Sequence, residues 1–132
     1  MINTLLLACT GIAMEVFFTA AAGLRRTRDP KLAGHTTLWM FPIYALVYPA
    51  LSALWPTIGG RPWYARGALS VLLIYAVEYA SGWLIRRIAG LCPWDYGRTR
   101  WAVHGLIRLD FAPAWLAAAF IFERLFLYLS GI

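Results

Sequence analysis

Three carboxylates sit where charge is expensive. Glu15, Glu78 and Glu123 each interrupt a long apolar run, close to its middle or a little below centre. At the centre of a bilayer a charged side chain costs about 2.5–3.5 kcal/mol on insertion scales, so each should face protein and find a polar partner. One chemistry open to such a set is an ion or proton pathway, or a polar pocket for a cationic or hydroxylated ligand. The other is interhelical glue, in which each Glu exchanges hydrogen bonds with Tyr, Trp, Ser or kinked backbone. Arg124 follows Glu123 but points about 100° away on a helix, so the two need not pair, and Glu15 or Glu78 across the bundle is an alternative partner.

A second constellation lies at residues 91–101, "LCPWDYGRTRW". Pro93 lacks an amide hydrogen and disfavours helix at Cys92, so the preceding helix should end before it. Asp95, followed by Gly97, suits a turn or an N-cap acceptor. Trp94, Tyr96 and Trp101 carry rings suited to the headgroup level. Beyond them Arg100, His104 and Arg108 recur every four residues among apolar neighbours. That spacing predicts a short interfacial helix, or a re-entrant loop, with a basic stripe for lipid phosphates or an anionic substrate. The plainer reading is insertion charge resting at the headgroups.

Other chemistries lack their residues. There is no GxxxxGK[ST] phosphate loop and no His, Cys or carboxylate spacing for a metal. Ser52, Ser70, Ser81 and Ser130 have no nucleophile motif around them, and no cofactor is expected. Cys9 and Cys92 make no disulfide framework. Enzyme chemistry would require Glu78, Asp95 and His104 to converge.

The elements that must position these residues follow from composition. Of 132 residues 61% are hydrophobic and 14% charged, against about 25% charged in soluble domains. Four runs, approximately 2–24, 37–55, 67–85 and 111–129, have the roughly 20 residues a helix needs to cross about 30 Å of hydrocarbon. Backbone groups in lipid must pair internally, so the expected fold is an all-α integral membrane protein: a four-helix transmembrane bundle in a single polytopic domain. Pro42, Pro49 and Pro56 recur every seven residues in the second span, and Pro49 should kink it. The first run lacks a basic flank, carries Glu15 and is followed by "LRRTRDPK", which argues against a cleaved signal peptide.

The net charge of +6 would suggest nucleic acid in a soluble chain; here membrane insertion accounts for it and no nucleic acid is expected. Arg25, Arg26, Arg28 and Lys31 in the first loop share a side with Arg86, Arg87, Arg98, Arg100 and Arg108 in the third. Only Arg61 and Arg66 oppose them. The richer side should be cytoplasmic, with both termini outward in a bacterial inner membrane. "EVFFTAAAGLRR" and "EYASGWLIRR" form a faint internal echo, each running from Glu through Gly to an Arg pair.

Short segments in order complete the reading: "EVFFTA" at 15–20, "GHTTLW" at 34–39, "PIY" at 42–44, "EYASG" at 78–82, "CPWDY" at 92–96 and "GLIRL" at 105–109, then Trp115 and Glu123. With these the chain resembles the transmembrane protein 229 family, whose bacterial relatives carry the label "putative ABC-transporter type IV". "CPWDY" is the most specific element. Glu15, Glu78, Asp95 and Glu123 fall on matching positions; Gly97 stands where Ser is expected, and the Arg100, His104, Arg108 stripe is not a family feature. The resemblance implies a membrane protein, without fixing an activity.

Three functions remain open. One is a transporter, or its membrane component, whose bundle holds a carboxylate-lined site; four spans line a narrow interior, so this calls for a homodimer, a partner membrane protein or an ATPase subunit. Another is a membrane-embedded enzyme acting on a lipid-like substrate through Asp95, His104 and Arg108. The third is an assembly protein without chemistry, in which Gly23 and Gly82 provide close packing.

Overall fold

The computed structural model describes all residues, Met1–Ile132. Helix α1 (Ile2–Thr27) ends with Arg25 and Arg26 in its last turn and Arg28 as its C-cap at φ 56°, cations at the negative end of the helix dipole. The second span is two helices, α2 (Met40–Ala45) and α3 (Val47–Ile58). The break follows from Pro49. Its missing N–H leaves the Ala45 carbonyl without its helical donor and its ring crowds that carbonyl, so α2 ends at Ala45.

Helix α4 (Trp63–Ala89) starts after an extended Pro62 and ends on Gly90 at φ 72°, the left-handed cap that glycine adopts without strain. A long loop carries the strands β1 (Ala102–Val103) and β2 (Ile107–Arg108), paired antiparallel with Ala102 opposite Arg108 and Val103 opposite Ile107. A 3-10 turn at Leu109–Phe111 leads into α5 (Ala112–Ser130). Four helical stretches, Ile2–Thr27, Met40–Ile58, Trp63–Ala89 and Leu109–Ser130, are long and apolar enough to cross a membrane. The chain is therefore an all-α, four-helix integral membrane protein.

The segment between the third and fourth spans is a folded loop with a hairpin, not the helix that the spacing of Arg100, His104 and Arg108 suggested. His104 at φ 53° and Gly105 at φ 70° are both left-handed, and the Leu106 amide closes the turn on the Val103 carbonyl at 3.0 Å. Two consecutive positive φ values terminate any helix and match the twist of a tight hairpin. The four-residue recurrence therefore does not describe a helical stripe.

The chain divides into two compact units. In the unit of residues 1–53 and 125–132, α1 buries Leu7, Ala8 and Gly11. The Tyr44 ring lies directly on Gly11, where a side chain would collide with it. Asn3 donates to Tyr48 Oη at 3.0 Å and to the Leu129 carbonyl at 3.3 Å. In the unit of residues 54–124, α4 buries Gly67, Glu78, Gly82 and Ile85 on one face. At Gly67 a Cβ would stand 2.6 Å from Leu116 Cδ1. Ile58, Leu106, Ala119 and Phe122 complete that core.

The two glycines expected to share a packing role differ. A Cβ at Gly23 would meet only the Ala33 carbonyl oxygen, at 3.9 Å. One at Gly82 would lie 2.9 Å from both Leu106 Cδ2 and Trp94 Cζ2. Of these two, Gly82 is the close-approach position.

Candidate functional site

The loop after α4 turns back and lies along the helix it has just left. Tyr75 Oη donates to the carbonyls of Arg108 and Leu109 at 3.1 and 3.0 Å. Tyr79 Oη is hydrogen-bonded to His104 Nδ1 at 2.8 Å. Gly82 receives Trp94 and Leu106, and Arg86 Nη1 donates to the His104 carbonyl at 3.2 Å. Positions 75, 79, 82 and 86 follow the helical period, so one stripe of α4 holds the loop over roughly 16 Å of its length.

Within the loop, the Trp94 indole donates to the Leu106 carbonyl at 2.9 Å and the Tyr96 amide to the Gly105 carbonyl at 3.0 Å. Leu106 is the wedge of this assembly, 1% exposed, because its side chain fills the notch at Gly82.

This fold-back carries the "CPWDY" segment onto Glu78. Glu78 is buried on α4, and Tyr96 Oη donates to its Oε1 in a short hydrogen bond. Trp94 and Cys92 flank Gly82, one turn along the same helix; Cys92 Sγ lies 3.4 Å from the position a Gly82 Cβ would take. Asp95 points elsewhere. Its Oδ1 accepts the Gly97 amide at 2.8 Å, the Asx turn that its sequence position predicts. Pro93 is half-buried.

Glu123 belongs to a different arrangement. Arg66 Nε and Nη2 donate to Oε2 and Oε1 at 3.0 and 2.9 Å, a two-pronged ion pair, while Arg66 Nη1 donates to the Arg61 carbonyl at 2.6 Å. Parallel N–H···O bonds of this kind are the strong geometry for Arg and carboxylate. Arg124 lies exposed on the outer side of α5, so the cation for a buried carboxylate is Arg66.

Glu15, in the other unit, repeats the Glu78 pattern with other residues. Thr36 Oγ1 donates to Glu15 Oε2 at 2.9 Å. The neighbouring His35 amide donates to Thr19 Oγ1 at 2.8 Å, and that hydroxyl donates to the His35 carbonyl at 2.9 Å. Gly34 lies against the Val16 backbone so closely that no side chain fits. "GHTT" is thus bound to "EVFFT" as "CPWDY" is bound to "EYASG". In both units a hydroxyl from the loop that follows a helix returns to a glutamate within it.

The remaining candidates separate. The Arg100 guanidinium stacks on Trp101 at 5.2 Å. Arg108 pairs with Asp110 through Nε and Nη2, both at 2.9 Å, and covers the Phe111 ring at 4.4 Å. His104 lines a cleft with Asp95, whereas Arg100 and Arg108 do not. Reading the sequence missed Arg66, Thr36, Tyr75, Tyr79 and Arg86. The tyrosines and Arg86 share their helical stripe with Glu78 and Gly82, and that periodicity was the available signal.

In the unit of residues 54–124, the buried Glu78 carboxylate, the Tyr96 hydroxyl and the docked loop thus lie together. Rearranging the loop would change which partner the Glu78 carboxylate meets. No cluster of three or more His, Cys, Asp or Glu side chains that could hold a metal is present.

A family model described as "Putative ABC-transporter type IV" matches residues 3–130, nearly the entire chain. No solved structure matches it.

Proposed function

The chain belongs to the "Putative ABC-transporter type IV" family, and from that premise we propose that it is the membrane-spanning component of a transport assembly, with a polar site on Glu78. The observation that carries this reading is the Tyr96–Glu78 hydrogen bond, which ties an intramembrane carboxylate to a loop outside the helix. A carboxylate that accepts from a neutral hydroxyl can exchange that donor for a proton or a substrate group. Glu123, already matched by Arg66, serves as a structural lock.

The chain contains no phosphate-binding loop, so ATP hydrolysis falls to a partner subunit. A second copy or another membrane subunit supplies the rest of the path, because four spans enclose little interior. The likeness to the transmembrane protein 229 proteins belongs to the same proposal. So does an inner-membrane location with both termini outward: the first and third loops hold nine Lys and Arg, and Arg61 remains opposite them once Arg66 is paired within its span.

The test is purification of the tagged chain from its native membrane. ATP hydrolysis is expected to accompany it, and Glu78→Gln is expected to abolish substrate-stimulated hydrolysis without altering yield or helix content. A Glu78→Gln variant that behaves as wild type would remove the site from the account. The enzyme reading keeps one supporting observation, Asp95 and His104 lining one cleft. A membrane lipid profile unchanged by deletion of the chain would dispose of it.

A further inference from the structure

Where α4 ends, the docked loop leaves an open cleft of about 740 Å³, with Arg86, Asp95, Arg98, Thr99 and His104 among its lining residues. Its charge is unbalanced. The chain's two ion pairs engage Arg66 and Arg108, so Arg86 and Arg98 line the cleft without an ion pair. Asp95 is the acidic group there, and its Oδ1 is occupied by the Gly97 amide. Arg86 is fixed through Nη1 to the His104 carbonyl, while Arg98 is exposed. His104 uses Nδ1 for Tyr79, which leaves its other ring nitrogen for a ligand.

Gly105 keeps the cleft open. It sits at φ 70°, and a Cβ there would lie 2.6 Å from Asp95 Oδ1 and 3.7 Å from Arg86 Nη2. A side chain would therefore fill the space between the acid and the base. Part of the rim is apolar: Leu91, 57% exposed, lines the cleft beside Ala102. Two guanidiniums, a hydroxyl and an imidazole are donors for a phosphate oxyanion. An exposed leucine on the rim, at the end of a membrane-length helix, suits an amphiphile whose headgroup carries that phosphate.

We propose that this cleft is a phosphate-binding site, with Arg86 and Arg98 as its anion ligands, taking a phosphoester group from a lipid headgroup or a free phosphate. The site goes beyond the transport reading and stands without it, since neither Glu15 nor Glu78 contributes.

The experiment uses the full chain in non-ionic detergent and measures dissociation constants for inorganic phosphate, for short-chain phosphatidylglycerol and for the matching diacylglycerol. Wild type is expected to bind at least one phosphate-bearing probe and not the diacylglycerol. Arg98→Gln is expected to weaken binding by at least about ten-fold, the scale of one lost charge-assisted hydrogen bond. Arg28→Gln, a cation outside the cleft, should bind as wild type. Phosphatidylglycerol binding far more tightly than inorganic phosphate identifies a headgroup site, and equal affinities identify a free phosphate. Because Arg98 is exposed and lies in a loop, its variant should fold; Gly105→Ala, which blocks the cleft instead of removing charge, should give the same loss. Failure of both phosphate probes to bind wild type, or equal binding by wild type and Arg98→Gln, would overturn the proposal.

Discussion

Arg66→Met should destabilise the protein more than any other single substitution considered, and Arg66→Met combined with Glu123→Leu should recover much of the loss. The single change removes both prongs of the ion pair and strands Glu123, which is 5% exposed. Leaving the buried partner of an ion pair uncompensated is strongly destabilising, whereas replacing both partners with apolar groups of similar volume is often neutral. The check is unfolding in detergent, comparing both variants with wild type. Equal stability of Arg66→Met and wild type would mean that the pair does not hold α4 to α5. Arg124→Met, on the outer side of the same helix, should have little effect.

Gly82→Val should detach the docked loop. The added atoms would have to share space with Leu106 and Trp94, both 2.9 Å from the new Cβ. These neighbours are not flexible ends: Leu106 is fully buried, and the Trp94 indole is fixed by its bond to the Leu106 carbonyl. Overpacking of a filled site costs typically about 1–3 kcal/mol. Here it should appear as faster protease cleavage in residues 90–108 before global unfolding. Gly23→Val, with its nearest neighbour at 3.9 Å, is the matched control and should be tolerated. A Gly82→Val protein with wild-type cleavage kinetics would show that the loop does not rest on that notch.

The spans and the proline break were legible because they depend on local quantities: the length of an apolar run, and a residue without an amide hydrogen. The glutamates drew attention because burying a carboxylate has a cost wherever it occurs. Their partners were not legible, since Thr36, Tyr96 and Arg66 lie 21, 18 and 57 residues from the carboxylates they meet. Arg66 was hidden by its position one residue before the expected start of the third span, where it read as insertion charge. The helix begins earlier, at Trp63, which brings Arg66 inside it and opposite α5.

The hairpin was obscured for another reason. The spacing of Arg100, His104 and Arg108 fits a helical face, and a left-handed His104 before Gly105 is not among the commoner turn pairs. The faint echo between "EVFFTAAAGLRR" and "EYASGWLIRR" carried more than its offsets suggested. Each glutamate is met by a hydroxyl from the loop that follows its helix.

The glue reading and the site reading share these contacts, so activity separates them only after the contact itself has been measured. The most direct measurement is a double-mutant cycle on unfolding free energy with Glu78→Gln, Tyr96→Phe and the double variant. A docked "CPWDY" segment predicts a coupling within about 0.5–3 kcal/mol, the range for residues in contact. Additive single effects, with coupling near zero, would contradict the latch between the loop and the intramembrane carboxylate.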